Sequence, residues 1–148
     1  MADFDGLLFL RGFELIEDMP VASGTVISIG MILKTTGTVV LPCAATTDDL
    51  TMIGVAKEAH YATDSAGSIS VAIANGQAIY RANLDAAATV TIGENLQLYT
   101  SAPSTKLTPS NTDPMAMVVK PGTSVLTCEV VLMLPNKTSG PRFVRRSS

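Results

Sequence analysis

The side chains that could carry chemistry are few. His60 is the only histidine. A nucleophilic triad needs a base beside a nucleophile, and a third group that orients the base. Cys43, Ser65 and Ser68 could be named as nucleophiles, but no elbow or other motif surrounds them. His60 therefore reads as a loop histidine rather than a general base. Asp48-Asp49 and Asp64 could hold a cation, yet their spacing is not that of an EF-hand. They read as solvated turn residues. Gly30, Gly54, Gly76 and Gly93 make no phosphate loop, because no helix start follows any of them. Met31, Met52, Met115, Met117 and Met133 lie in strand patterns and read as core fillers rather than a copper stripe. Cys43 and Cys128 sit in apolar, strand-like surroundings and read as two buried thiols, with a single bridge as the other possibility. The expectation is a chain that is not an enzyme and has no cofactor and no metal. Its function must come from architecture and surface.

Bulk composition narrows the class. At 148 residues, one domain with a real core is the default. Hydrophobic residues make up 47% but aromatics only 5%, with no Trp. Charged residues make up 16%, against about 25% in ordinary soluble domains. Two readings follow: a secreted β domain faced with Thr and Ser, or a subunit that buries much of its surface in an assembly. The second is preferred, because so few charges keep other proteins away. Net charge is −3 and the pI is near 5.0, so the body lacks the basic face that wrapping nucleic acid requires. Asp3 and Asp5 open the chain, where a secretory signal would need a basic region. The apolar runs are too short to span a membrane. The expectation is a protein made in the cytoplasm, binding neither nucleic acid nor membrane.

The elements follow from alternation. Around Asn75-Gly76, the stretch Gly67–Leu84 places Ile69, Val71, Ile73, Ala78, Tyr80 and Ala82 on one face. Asn-Gly between two such runs predicts a type I′ hairpin, with Val71 facing Tyr80. Residues 25–42 predict two strands joined at Lys34–Gly37, with Gly30 marking a bulge or a close backbone approach. Residues 43–50 predict a polar loop and 51–57 a short strand. Residues 89–92 and 96–100 predict two strands, and Asp85–Ala88 a connector or a single helical turn. Val90-Thr91-Ile92-Gly93 followed by Leu96 echoes Val26-Ile27-Ser28-Ile29-Gly30 followed by Leu33. That is either an internal repeat or the common strand–Gly–strand grammar. Residues 101–114 are rich in Ser, Thr and Pro and predict a long surface loop. Residues 115–120 and 125–134 predict the last strands, the final one apolar enough to be covered on both faces. The fold class is all-β: one small barrel or sandwich of about nine to eleven short strands, with extended arms at both ends.

Those ends differ from the body. Residues 1–18 form an acidic arm or edge strand that Pro20 should terminate, residues 19–135 the barrel, and residues 136–148 a basic tail. The first segment holds three of the four Phe; the last holds Lys137, Arg142, Arg145 and Arg146 and no acid. Either could stay on its own subunit, or reach a neighbour, and the two could meet between subunits. The candidate partner-binding residues are Phe4, Leu7, Phe9 and Phe13 at one end, and Arg142, Phe143, Arg145 and Arg146 at the other.

The order of pieces resembles a known family. It runs Val21-Ala22-Ser23-Gly24, Gly30-Met31-Ile32-Leu33, Ile53-Gly54-Val55-Ala56, Gly67-Ser68-Ile69-Ser70-Val71, Asn75-Gly76, Tyr80-Arg81, and Gly93-Glu94-Asn95-Leu96-Gln97-Leu98-Tyr99. This resembles the capsid decoration (cement, or head-stabilisation) proteins of tailed bacteriophages, over about residues 20–100. The acidic start and the basic end are not part of the pattern. The resemblance implies a small β-barrel with terminal arms. It implies a homotrimer, or another homo-oligomer, that binds the major capsid protein on the outer surface of the virion and stabilises it. The alternative function is a receptor- or glycan-binding β domain of a phage tail or surface structure, with residues 101–114 as its tip.

Overall fold

The computed structural model describes residues 6–85, 89–122 and 126–133. They form eleven strands: β1 (Leu8–Gly12), β2 (Leu15–Val21), β3 (Ile32–Thr35), β4 (Val40–Pro42), β5 (Met52–Ala56), β6 (Gly67–Ile73), β7 (Ala78–Leu84), β8 (Asn95–Leu98), β9 (Lys106–Pro109), β10 (Ala116–Pro121) and β11 (Thr127–Leu132). A single turn of 3₁₀ helix, Thr46–Leu50, is the one helical element among the described residues. The chain is all-β, as the alternating patterns predict.

The strands sort into two sheets. One runs β1-β7-β11-β10-β8-β9, and a parallel pairing of β7 with β9 closes five of its strands into a barrel. The other runs β2-β6-β5-β3-β4. With β1 set aside, the two orders are the same. β2-β6-β5-β3-β4 and β7-β11-β10-β8-β9 are one topology written twice, so the chain contains a duplicated five-stranded unit.

Local geometry supports the duplication. The Ser28–Met31 and Thr91–Glu94 turns are each closed by a backbone hydrogen bond of 3.1 Å. Gly30 and Gly93 take the third turn position at φ 93° and 90°, a conformation that glycine adopts without steric cost. Gly30 N donates to the Ala56 carbonyl and Ala56 N donates back to Met31. Gly93 N donates to Val118, and Val118 N donates back to Glu94. Val21 and Leu84, Ile27 and Val90, and Leu33 and Leu96 occupy matching places and are all buried. The Gly30/Gly93 echo is therefore a true repeat.

The cores are unequal. The barrel encloses Tyr80, Leu84, Leu96, Leu98, Leu107, Val130 and Leu132, and the same cluster takes in Ile32, Met52 and Val55 from the other sheet. A smaller cluster of Val21, Ile27, Leu33, Val40, Ile69 and Val71 fills the first unit. The two units thus share apolar interior instead of standing apart.

The expected hairpin does not form. β6 pairs with β2 and β5, while β7 pairs with β1 and β11, so the chain changes sheets at Asn75-Gly76. A type I′ turn needs positive φ at both central residues. Gly76 has φ 72°, but no non-glycine residue has positive φ among the described residues. Asn75 instead uses its side chain: its Oδ1 accepts from Gln77 N at 2.9 Å. The face assignment survives for Ile69, Val71, Ala78, Tyr80 and Ala82, which are buried, but in two different sheets.

Other expectations change for physical reasons. Pro20 does not end the first segment; β2 runs through it to Val21. It lies on an edge strand, where a missing N–H is tolerated. Residues 101–114 are not one long loop, because Leu107 is buried and β9 seals the barrel. Residues 89–92 form the approach to a turn rather than a strand. Asp49 is buried rather than solvated, and His60 is only 5% exposed. Residues 86–88, the expected helical connector, lie outside the described residues.

Candidate binding surface

Two bends are clasped at one end of the molecule. The chain passes from β1 to β2 through Phe13-Glu14, and from β6 to β7 through 74–77. Phe13 N donates to the Gln77 carbonyl at 3.0 Å, and Asn75 Nδ2 donates to the Phe13 carbonyl at 3.2 Å. Gly12 is needed here. Its φ is 99°, and a Cβ on it would run into the Gln77 carbonyl.

Beneath the bends lies a small polar network. Glu14 Oε2 accepts from Tyr80 Oη at 2.9 Å and from Lys57 Nζ at 3.2 Å. Lys57 Nζ also lies 5.6 Å from the centre of the Phe9 ring, and Phe9 meets Tyr80 edge-on at 6.0 Å. Burial, and then the neighbouring Glu14 carboxylate, push the Tyr80 hydroxyl well above the usual phenol range. Tyr80 is thus a neutral donor that fixes Glu14, which in turn fixes the start of β2. Nearby, Arg11 pairs with Glu129 at 2.8 Å across β7.

The same stretch of chain carries exposed apolar side chains. Leu10, Phe13, Leu15 and Ile16 are exposed at 38%, 58%, 41% and 46%. Glu17 and Asp18 follow them on the same strand and are also exposed. Among the described residues no strand pairs with the outer edge of β2. Elsewhere Ile29 and Ile92, in the two repeated turns, are also exposed, as are Val26, Leu50, Tyr61 and Leu126.

The sequence candidates divide. Phe13 sits on the exposed rim. Phe9 is half-buried in the network. Leu7 is 2% exposed and belongs to the chain's own core, its N–H donating to the Gly30 carbonyl at 2.8 Å. Phe4, Arg142, Phe143, Arg145 and Arg146 lie outside the described residues. Leu10, Leu15 and Ile16 were not singled out by sequence. The adjacent pair Leu15-Ile16 carried a signal, since two successive residues of a strand cannot both face the core.

The residues weighed for chemistry hold structural posts. His60 Nδ1 lies 2.6 Å from the Thr25 carbonyl, and Nε2 lies 3.0 Å from that of Ser65. Asp48 Oδ2 accepts from Ala44 N, Ala45 N and Lys34 Nζ. Its burial favours the neutral acid, but these bonds outweigh that and hold its pKa below the usual carboxylate value. Cys43 and Cys128 are free and buried. Desolvation, reinforced by nearby carboxylates, pushes them up to about 12 and about 11, so neither is a ready thiolate. Among the described residues no group of three or more His, Cys, Asp or Glu side chains is placed to hold a metal ion. No helix among them is long and apolar enough to cross a membrane.

A scan against protein-family models and a search of curated proteins returned no match.

Proposed function

We propose that this chain is a structural virion protein: a decoration protein that binds the outside of a mature phage capsid as a homotrimer. The observation that carries the reading is the set of exposed apolar side chains Leu10, Phe13, Leu15 and Ile16 on either side of the β1–β2 bend, in a chain with only 16% charged residues. Apolar side chains grouped this closely along the chain are costly to leave in water, and they mark a region made to be covered. The order of strand motifs that resembles the decoration family supports the same reading. The partner is the major capsid protein, contacted at several points by one oligomer. The protein acts by binding the assembled lattice and not its separated subunits, which stabilises the assembled state by mass action. Several weak contacts from one trimer add as avidity, because each later contact is intramolecular.

The test is thermal. Purified protein is added to undecorated mature capsids, which are heated while DNA release is followed. Release should move to higher temperature with the protein, and Phe13→Asp should weaken the effect. Equal release temperatures with and without the protein would reject the proposal.

A further inference from the structure

The duplication shows what one sheet edge lacks. In the second unit, the outer edge of β7 over Ala78–Arg81 is paired with β1, with Gly12 opposite Ala78 and Leu8 opposite Arg81. That added strand brings a basic residue, Arg11, to the acidic Glu129. The matching stretch of the first unit is Leu15–Asp18 of β2, and among the described residues no strand is paired with its outer edge, β4 approaching β2 without pairing. An open edge of this kind is a template for another strand.

We propose that the basic segment Arg142-Phe143-Val144-Arg145-Arg146 of the same chain adds as a strand to the outer edge of β2 at Leu15–Asp18. Three observations on the molecule select this occupant. The first is charge. The edge presents Glu17 and Asp18 beside Leu15 and Ile16, while the segment carries three Arg around Phe143-Val144 and no acid. A second β2 carries the same two acids and no base, so it offers this edge no opposite charge. The outer edge of β1 carries Arg11 and no acid, so it does not attract the segment.

The second is position. β11 runs toward the clasped bends, with Val131 opposite Ile79 at the start of β7. Met133 therefore leaves the barrel at the end where β2 begins. A segment turning back there runs parallel to β2, as β9 runs parallel to β7. The third is reach. Sheet and strand spacings put the start of β2 on the order of 15 Å from the end of β11. Residues 134–141 can span about 26 Å when extended. The proposal rests on this edge and not on the capsid reading.

The test is amide hydrogen exchange on full-length protein by NMR. The readout is the set of Leu15–Asp18 amides that point away from β6. Two full-length variants are compared with the wild type: the triple Arg142→Glu, Arg145→Glu, Arg146→Glu, and Val144→Pro. These amides should exchange at least about tenfold faster in both variants, with β7 and β11 amides unchanged as a check on the fold. Equal rates in all three proteins would overturn the proposal. Loss of protection in the charge variant alone would mean ionic contact without an added strand, which also overturns it. A labelled triple variant is then mixed with excess unlabelled wild type. Restored protection would assign the segment to a second copy and refute the same-chain assignment.

Discussion

Both ring nitrogens of His60 face carbonyl oxygens, which only accept. A neutral imidazole has one N–H and can fill one of the two bonds; the imidazolium fills both. The hydrogen bond to Thr25 accordingly raises the His60 pKa above 6.5, against a smaller opposing effect of burial and with help from Ser65 and Asp64. A raised folded-state pKa means stability that is fully present below the unfolded value and lost as pH rises through the folded one. The thermal midpoint should therefore fall as pH rises past 6.5, and His60→Gln should flatten that part of the profile. A profile of the same shape in both proteins would remove His60 as its cause. The histidine staples the Thr25–Ile27 stretch to residues 60–65, and the paired bonds between Ile27 and His60 backbones do the same. Nothing in the sequence around His60 signals this. Its partners are backbone carbonyls, which every residue has, so the environment that charges the ring is set by the fold alone.

At the scale of elements, the bend at Gly12 decides how β1 and β2 are shared between the sheets. Gly37 offers a natural control. It has φ 103°, close to the 99° of Gly12, but a Cβ there would meet nothing within 4 Å. Gly37→Ala should thus cost only the backbone strain, about 1–2 kcal/mol. Gly12→Ala adds a clash with the Gln77 carbonyl and should cost about 3–4 kcal/mol. Urea denaturation of the two variants measures the difference, and equal losses would mean that the clasp between the bends yields freely. Strand existence was legible here, because alternation around Ile69, Val71, Tyr80 and Ala82 is a local property. Strand partnership was not. Asn75-Gly76 has hairpin chemistry, yet β2 and β5 already occupy both edges of β6. Competition from distant strands outweighed the turn preference, and no local pattern reports such competition. The exposed apolar stretch around the β1–β2 bend was half legible. Phe13 was visible as an aromatic in an acidic arm, and the adjacent pair Leu15-Ile16 required one of the two to face outward, but that both are exposed is set by the tertiary placement of β2.

At the scale of the whole molecule, the duplication makes a claim about energetics. Leu33 and Leu96 are both fully buried and stand at matching places, one in each unit. Only the turn glycines and a few apolar positions repeat in the sequence, because a strand pair needs the inward residues to be apolar but leaves the outward ones free. Matching places in matching units should respond alike: Leu33→Ala and Leu96→Ala are each expected to cost about 2–5 kcal/mol. They should also unfold the chain as one body. Ile32, Met52 and Val55 of the first unit lie in the same apolar cluster as the barrel interior, and Ile32 N donates to the Ser104 carbonyl at 2.7 Å. Loosening either unit therefore exposes core belonging to both, which favours a two-state transition. Calorimetry of the two variants tests this. A single transition displaced to lower temperature in both is the expected result. If Leu33→Ala split the transition and left a component at the wild-type midpoint, the units would be independent, and the shared cluster would be contact without cooperativity.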